Sequence, residues 1–242
     1  MKNGASVAAA LLVGLGMALA GWFIGNGFYQ GRAADRYVTV KGVSERAVTA
    51  DVALWPLRFV STDDDLNAAQ GRIKESHDRV LAFLKRHGID PSNAEVQKLE
   101  VTDRLADPYR SGPMKSRYIV AQTVMVRSKD PETVARASQA VGELVDAGVV
   151  LSGSRGPYNG PTFLFTRLSE LKPEMIAEAT AKARRAAEQF AKDSGSRIGP
   201  IRRANQGVFV IQPRDRAPGV MEGSQLHKTV RVVSTIEYGL ED

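Results

Sequence analysis

Residues 48–88 read VTADVALWPLRFVSTDDDLNAAQGRIKESHDRVLAFLKRHG, and they predict a strand that leads directly into an amphipathic helix. Trp55, Leu57 and Phe59 alternate with other residues, and this period of two places side chains on one face of a strand. Pro56 lies on the other face and has no amide N–H to donate. It therefore predicts an edge position or a bulge.

The helix that follows carries both a start signal and a stop signal. Thr62 with Asp65 three residues later forms a capping-box pattern, which predicts the helix start. Gly88 follows a basic last turn and predicts the end. Apolar residues recur at spacings of three, four or seven, which defines one buried face: Leu66, Ala69, Ile73, Val80 and Leu84.

Two further helices are predicted by the same kind of signals. One begins at Asp130-Pro131 and ends at Gly148; the other runs from near Ser169 to about Ser194. The last helix has an alanine-rich face, and small side chains there would let its axis lie close to a sheet. We predict this face to contain Ile176, Ala179, Ala183, Ala186 and Phe190.

Segments rich in β-forming residues fill the spaces between the helices. The resulting order is two strands and a helix, three times, followed by two strands. Strand pairs without crossovers favour antiparallel pairing, so the predicted fold class is α+β: repeated ββα units forming antiparallel sheets covered by three helices. The strands are predicted at residues 37–43, 48–60, 96–105, 118–127, 149–151, 162–165, 201–211 and 228–238.

The N-terminal part of the chain predicts a transmembrane helix in addition. We divide the chain into a tail (1–4), a transmembrane anchor or signal-anchor (5–26), a linker (27–35) and one α+β domain (36–242). The anchor region has no charged residue and is long enough to cross a bilayer as a helix. Cleavage near Ala20, with release to the periplasm, remains an alternative. The flanking charges lean mildly toward a cytoplasmic domain.

Composition narrows the classes of function. The formal net charge is +6, yet no run of five or more basic residues occurs, which disfavours nucleic acid as a partner. An anionic envelope component, such as lipid or wall polymer, remains possible as a ligand. The chain has no cysteine, which excludes disulfides, thiolate zinc sites and thiol nucleophiles.

The residues that could carry chemistry do not form a recognisable set. His77 and His87 lie ten positions apart, so they are not a metal pair at helical spacing. His77 falls on the apolar stripe and predicts a packed or interface side chain, whereas His87 suits the negative end of a helix dipole. No GxSxG or phosphate-loop motif occurs. We therefore predict no catalytic, cofactor-binding or metal-ligating residues, no cofactor and no enzymatic activity.

Several segments resemble the SIMPL-domain family of bacterial envelope and periplasmic proteins. The strongest is Ala183–Ala191, ARRAAEQFA, followed by Gly195 and Gly199, which is similar to the end of a helix in that family. Residues 38–42, 88–99, 118–126 and 161–163 resemble its other elements. In order and spacing these pieces span roughly residues 36 to 240.

The resemblance implies an exported protein that self-associates and has no established reaction. We therefore expect a non-catalytic, membrane-tethered envelope protein at the inner membrane, single-pass, with its domain facing the periplasm. It would form a homo-oligomer or bind an envelope partner, with a loose connection to envelope or oxidative stress. The alternatives are a binding module for anionic lipid or wall polymer and, as the weakest, a hydrolase using a histidine and loop carboxylates.

Overall fold

The computed structural model describes residues 3–33, 36–106, 115–153 and 160–241. Its two four-stranded antiparallel sheets and its helices confirm the predicted α+β class. The helices are α1 (Asn3–Ala33), α2 (Leu66–Arg86), α3 (Pro131–Gln139), α4 (Gly142–Asp146) and α5 (Leu168–Asp193). The strands are β1 (Tyr37–Thr49), β2 (Val52–Asp63), β3 (Ala94–Asp103), β4 (Tyr118–Ser128), β5 (Thr162–Leu164), β6 (Arg197–Gln206), β7 (Val210–Pro213) and β8 (His227–Glu241).

The order of elements differs from the prediction in its second half. The predicted strand at 149–151 makes only one isolated bridge, between Leu151 and Phe59. The second helix is two short ones, α3 and α4, and the predicted strand 201–211 is interrupted between β6 and β7. The third ββα unit therefore reduces to the short strand β5 before α5.

The chain divides into two compact units. Unit 1 consists of residues 1–44, 173–209 and 232–242, and unit 2 consists of residues 45–172 and 210–231. One sheet has the strand order β3-β4-β2-β5 and lies in unit 2. In the other sheet the order is β1-β8-β6, with β7 also paired to β8.

Unit 2 buries one face of its sheet beneath α2. Trp55, Leu57 and Phe59 share this inner face as predicted, and each is at most 3% exposed. Phe83 of α2 packs edge-on against Trp55, with ring centroids 6.3 Å apart. The α2 stripe is also buried as predicted, apart from Leu66 at its first position.

The start of α2 corrects the predicted cap. Asp65, not Thr62, is the N-cap: its side chain accepts a hydrogen bond from the backbone N–H of Ala68 at 2.8 Å. The reason is that β2 continues through Thr62 to Asp63, and Asp63 Oδ1 accepts from the backbone N–H of Asp65 at 3.0 Å. That turn holds the pKa of the Asp63 carboxyl below its usual value.

The pairing of β2 explains why a proline is tolerated at position 56. β2 is an inner strand of the sheet order, but β5 pairs only with Val52, Ala53 and Leu54. At Pro56, β2 is paired on the β4 side, opposite Met125. The predicted edge position or bulge is therefore wrong for β2 as a strand, and the proline is tolerated because its missing amide N–H falls beyond the end of β5.

In unit 1, α5 lies very close to β1. A Cβ added at Gly42 would fall on the carbonyl oxygen of Ala179 and only 2.6 Å from the backbone nitrogen of Ala183. This confirms that small residues bring the helix close to a sheet. The predicted face is partly wrong, because Ala186 and Phe190 are exposed. The buried face repeats every four residues and contains Met175, Ala179, Ala183, Ala187 and Ala191.

The N-terminal helix α1 continues through most of the predicted linker, as far as Ala33. Within the residues described, no helix combines the length and the apolar character that crossing a membrane requires. This differs from the predicted transmembrane helix over residues 5–26, of which the helical conformation alone is confirmed.

Candidate association surface at the edge strand β3

The strand β3 is an edge of the unit 2 sheet and exposes apolar side chains. In the described part of the chain it pairs only with β4. Val96, Leu99 and Val101 are 53%, 52% and 52% exposed. We call these three residues the β3 strip. An edge strand with exposed aliphatic side chains is a template for pairing with another chain.

The register with β4 shows which way the β3 strip faces. Residues directly opposite each other in an antiparallel pair share a face. Val96 lies opposite Val124, Leu99 opposite Gln122 and Val101 opposite Val120. All three β4 residues are buried on the side that α2 covers. The β3 strip thus lies on the helix side of the sheet, but α2 packs mainly on β2 and β4 and leaves it uncovered.

A register shift between Val96 and Lys98 makes this alignment possible. Val96 and Leu99 are three positions apart, an odd spacing that would place them on opposite faces of a regular strand. One extra residue at the bulge restores them to the same face. The period-two pattern could not reveal the β3 strip, because the pattern is interrupted at its centre.

His77 borders the β3 strip from α2. Its Nδ1 lies 2.9 Å from Nε2 of Gln122, the β4 residue opposite Leu99. The side chain is partly buried and packs at the helix–sheet boundary, which agrees with its predicted role as a packed histidine.

The other face of β3 is polar. Lys98 Nζ lies 2.7 Å from Glu100 Oε1, and Arg58 reaches Glu100 Oε2 at 3.1 Å. Arg58 spans β4 next to Ala121, which lies opposite Glu100 and whose small side chain leaves room. Hydrogen bonds from Lys98, and then from Arg58, hold the pKa of Glu100 below its usual value. The two faces of β3 are thus chemically distinct.

The C-terminal end of β3 is fixed by an ion pair. Arg117 donates to Asp103, with Nη2 2.8 Å from Oδ2, and its guanidinium also lies over the ring of Tyr118, 4.8 Å from the centroid. Hydrogen bonds from Arg117 and from the backbone N–H of Leu105 lower the pKa of the Asp103 carboxyl. β3 is therefore held firmly to β4 while its outer edge remains exposed.

The edge strand β6 is built differently. It contains Pro200, two register shifts, and exposed arginines at 197, 202 and 203. Proline, bulges and charged side chains are devices that keep sheet edges from pairing. β3 has one register shift, no proline and an exposed strip of three aliphatic side chains, and its charged residues are of both signs, as in the pair of Lys98 and Glu100. Of these two edges, β3 is the better suited to association.

The three histidines lie apart and each takes a different partner. His77 pairs with Gln122, His87 lies 3.2 Å from Glu143 Oε2, and His227 lies 3.3 Å from Thr49 Oγ1. His87 is also the C-cap of α2, which fits the predicted position at the end of that helix. In the residues that the structure describes, no three His, Asp or Glu side chains are grouped so as to hold a metal ion.

One buried charge was not predicted from the sequence. Lys228, at the start of β8, is 0% exposed, and its Nζ donates to the carbonyl oxygen of Glu222 at 2.6 Å and to the Glu222 carboxylate. A buried ammonium requires such partners. The pair ties the segment before β8 to the sheet, so Lys228 has a structural role and is not available to a ligand.

The fold and the surface define a class: an α+β protein with two antiparallel sheets that presents an exposed apolar edge strand. The chain matches the profile of the SIMPL family, described as a protein of unknown function (DUF541), over residues 38–237. It therefore belongs to the SIMPL family, and the predicted resemblance is confirmed. No curated protein matched the chain.

Proposed function

We propose that this SIMPL-family protein acts by protein association and not by catalysis, and that the β3 strip is its association surface. The observation that carries the proposal is the uncovered strip on an edge strand, at Val96, Leu99 and Val101. A partner there would gain apolar contact and a row of backbone hydrogen bonds together. A homo-oligomer is the arrangement that the family resemblance implies.

The expected strength of the association follows from the apolar side chains of the β3 strip that it would bury. Burying a Val or Leu side chain completely stabilises by about 1.5–3 kcal/mol, so three half-exposed side chains contribute about 2–4 kcal/mol. Backbone hydrogen bonds add about 0.5–1.5 kcal/mol each. A micromolar complex needs about 8 kcal/mol in total. We therefore expect association that depends on concentration and not a permanent complex.

The separation of the three histidines, each with its own partner, supports a role without catalysis. A general base needs a proton donor or a nucleophile within hydrogen-bond reach. His77 is engaged by an amide, His87 by a carboxylate at a helix end, and His227 by a threonine hydroxyl. The first two contacts are explained by packing and by the helix end. Of the three contacts, that of His227 alone involves a hydroxyl group, and it is exposed to solvent.

Replacing Leu99 by lysine should abolish the association. The ammonium would have to be buried against the partner without a counter-charge. Sedimentation velocity of the full chain should show an average mass that rises over the micromolar to submillimolar range. Leu99→Lys should remain at the mass of one chain. A mild detergent should be present throughout, because Trp22, Phe23 and Ile24 of α1 are 67–75% exposed.

Ile201→Lys provides the matched control. Ile201 lies on the edge strand β6 and is 54% exposed, nearly the same as Leu99. This variant should associate like the unmodified chain. An unmodified chain that remains a monomer at every concentration would overturn the proposal. Association that persists unchanged in Leu99→Lys would assign it to another surface, such as α1.

A further inference from the structure

We propose that the occupant of the β3 strip is the β3 strand of a second copy, paired antiparallel about a two-fold axis at Leu99. The inference rests on the proposed function and deepens it by naming partner, orientation and register. In this arrangement the two unit 2 sheets join edge to edge. The β3 strips of both copies then lie on the same side of the joined sheet, because a two-fold axis normal to the sheet preserves its faces.

The charges on β3 select this register. When Leu99 lies opposite Leu99 of the partner subunit, Lys98 lies opposite Glu100 of the partner subunit, and Glu100 opposite the partner's Lys98. Both pairs lie on the polar face, where Lys98 and Glu100 already approach each other within one chain at 2.7 Å. Opposite charges directly across two strands stabilise the pairing. The edge is therefore self-complementary, as a two-fold interface requires.

The neighbouring registers are disfavoured by the residues that they place directly opposite each other. An axis at Lys98 would place two ammonium groups opposite each other, and an axis at Glu100 would place two carboxylates opposite each other. Like charges in directly opposite positions destabilise a strand pair. An axis between two residues would place an apolar position opposite a polar one and turn the apolar residues to the wrong face. At the central positions 98 to 100, the axis at Leu99 avoids all three faults. Farther out it brings Glu95 opposite Asp103 of the partner subunit, but Arg117 already pairs with Asp103 within each chain at 2.8 Å.

The absence of cysteine from the sequence makes the register directly measurable. Directly opposite residues in antiparallel strands have Cα atoms about 4.5–5.5 Å apart, which is within the range that a disulfide accepts. A thiol at position 99 would therefore face the same thiol of the partner subunit. Thiols at position 101 would be displaced by four residues along the strands, about 13 Å, and could not be bridged.

The experiment compares three single-cysteine variants of the full chain under mild oxidation: Leu99→Cys, Val101→Cys and Ile201→Cys. The three parent residues are 52%, 52% and 54% exposed, so random collision should oxidise them alike. Leu99→Cys should form covalent dimers at least fivefold faster than the other two, as seen on non-reducing gels. Adding Lys98→Glu to Leu99→Cys should slow its cross-linking severalfold, since carboxylates would then face each other.

The outcomes separate this inference from the proposed function. Cross-linking of Val101→Cys as fast as Leu99→Cys would overturn the two-fold register while leaving β3 as the association surface. Dominant cross-linking of Ile201→Cys would overturn both, by assigning association to β6. A rising mass of the unmodified chain with no preferred cross-link at 99 would refute the two-fold pairing only. A chain that stays monomeric refutes the proposed function itself.

Discussion

Gly42→Ala is expected to lower the free energy of unfolding by about 3 kcal/mol or more, at the upper end of the cost of overpacking. The added methyl group would fall on the carbonyl oxygen of Ala179 and lie 2.6 Å from the nitrogen of Ala183. Both are backbone atoms of α5, so no side-chain rotation can relieve the overlap. The whole helix would have to move away from β1. Urea denaturation followed by circular dichroism measures the effect.

Gly71→Ala is the control for that substitution. Gly71 lies inside α2, is exposed, and an added Cβ would meet no atom within 4 Å. Replacing glycine by alanine in an exposed helix interior should raise stability by up to about 1 kcal/mol. The same chemical change is thus expected to act with opposite signs at two positions. A Gly42→Ala midpoint equal to that of the unmodified chain would contradict the close approach of α5 to β1.

Phe59→Ala is the second substitution for which a large effect is expected. Phe59 is 0% exposed on β2 and belongs to the core beneath α2. Removing a buried phenylalanine ring costs about 3–5 kcal/mol, through the lost transfer free energy and the cavity that remains. Urea denaturation followed by fluorescence of Trp55, which lies in the same core, should show a midpoint shifted to much lower urea.

Phe190→Ala tests whether the burial of Phe59 causes the large loss of stability expected for Phe59→Ala. Phe190 is 52% exposed on α5, although the alanine-rich pattern of the sequence predicted it on the buried face. Its replacement should change stability by less than about 0.5 kcal/mol. If the two phenylalanine variants lose the same stability, the assignment of Phe59 to the core of unit 2 is wrong. If Phe59→Ala loses less than about 1 kcal/mol, the core is looser than its burial indicates.

The regular parts of the fold were predictable from residue periodicity. Trp55, Leu57 and Phe59 alternate without interruption, and the inner face of β2 follows from them. The buried face of α2 follows in the same way from its helical spacing. The small residues of α5 also indicated a close approach to a sheet, and Gly42 is where it occurs. These elements were predictable because one face of each is buried along most of its length.

The features of the fold that were not predicted depend on contacts between residues that are distant in the sequence. The register shift after Val96 moves Leu99 to the same face as Val96, and no local pattern signals an inserted residue. The α5 stripe repeats every four residues, so it differs at Ala187 and Ala191 from the predicted face. Lys228 is buried because the carbonyl and carboxylate of Glu222 are folded onto it. Each of these features is set by tertiary structure and not by propensity.

The proposed association of two copies through β3 can be followed residue by residue, by amide hydrogen exchange of the full chain at low and high micromolar concentration. We expect backbone amides between Ala94 and Asp103 to exchange more slowly as the concentration rises, while those between Arg197 and Gln206 do not change. Equal exchange in β3 at both concentrations, in samples whose mass has been shown to rise, would contradict it.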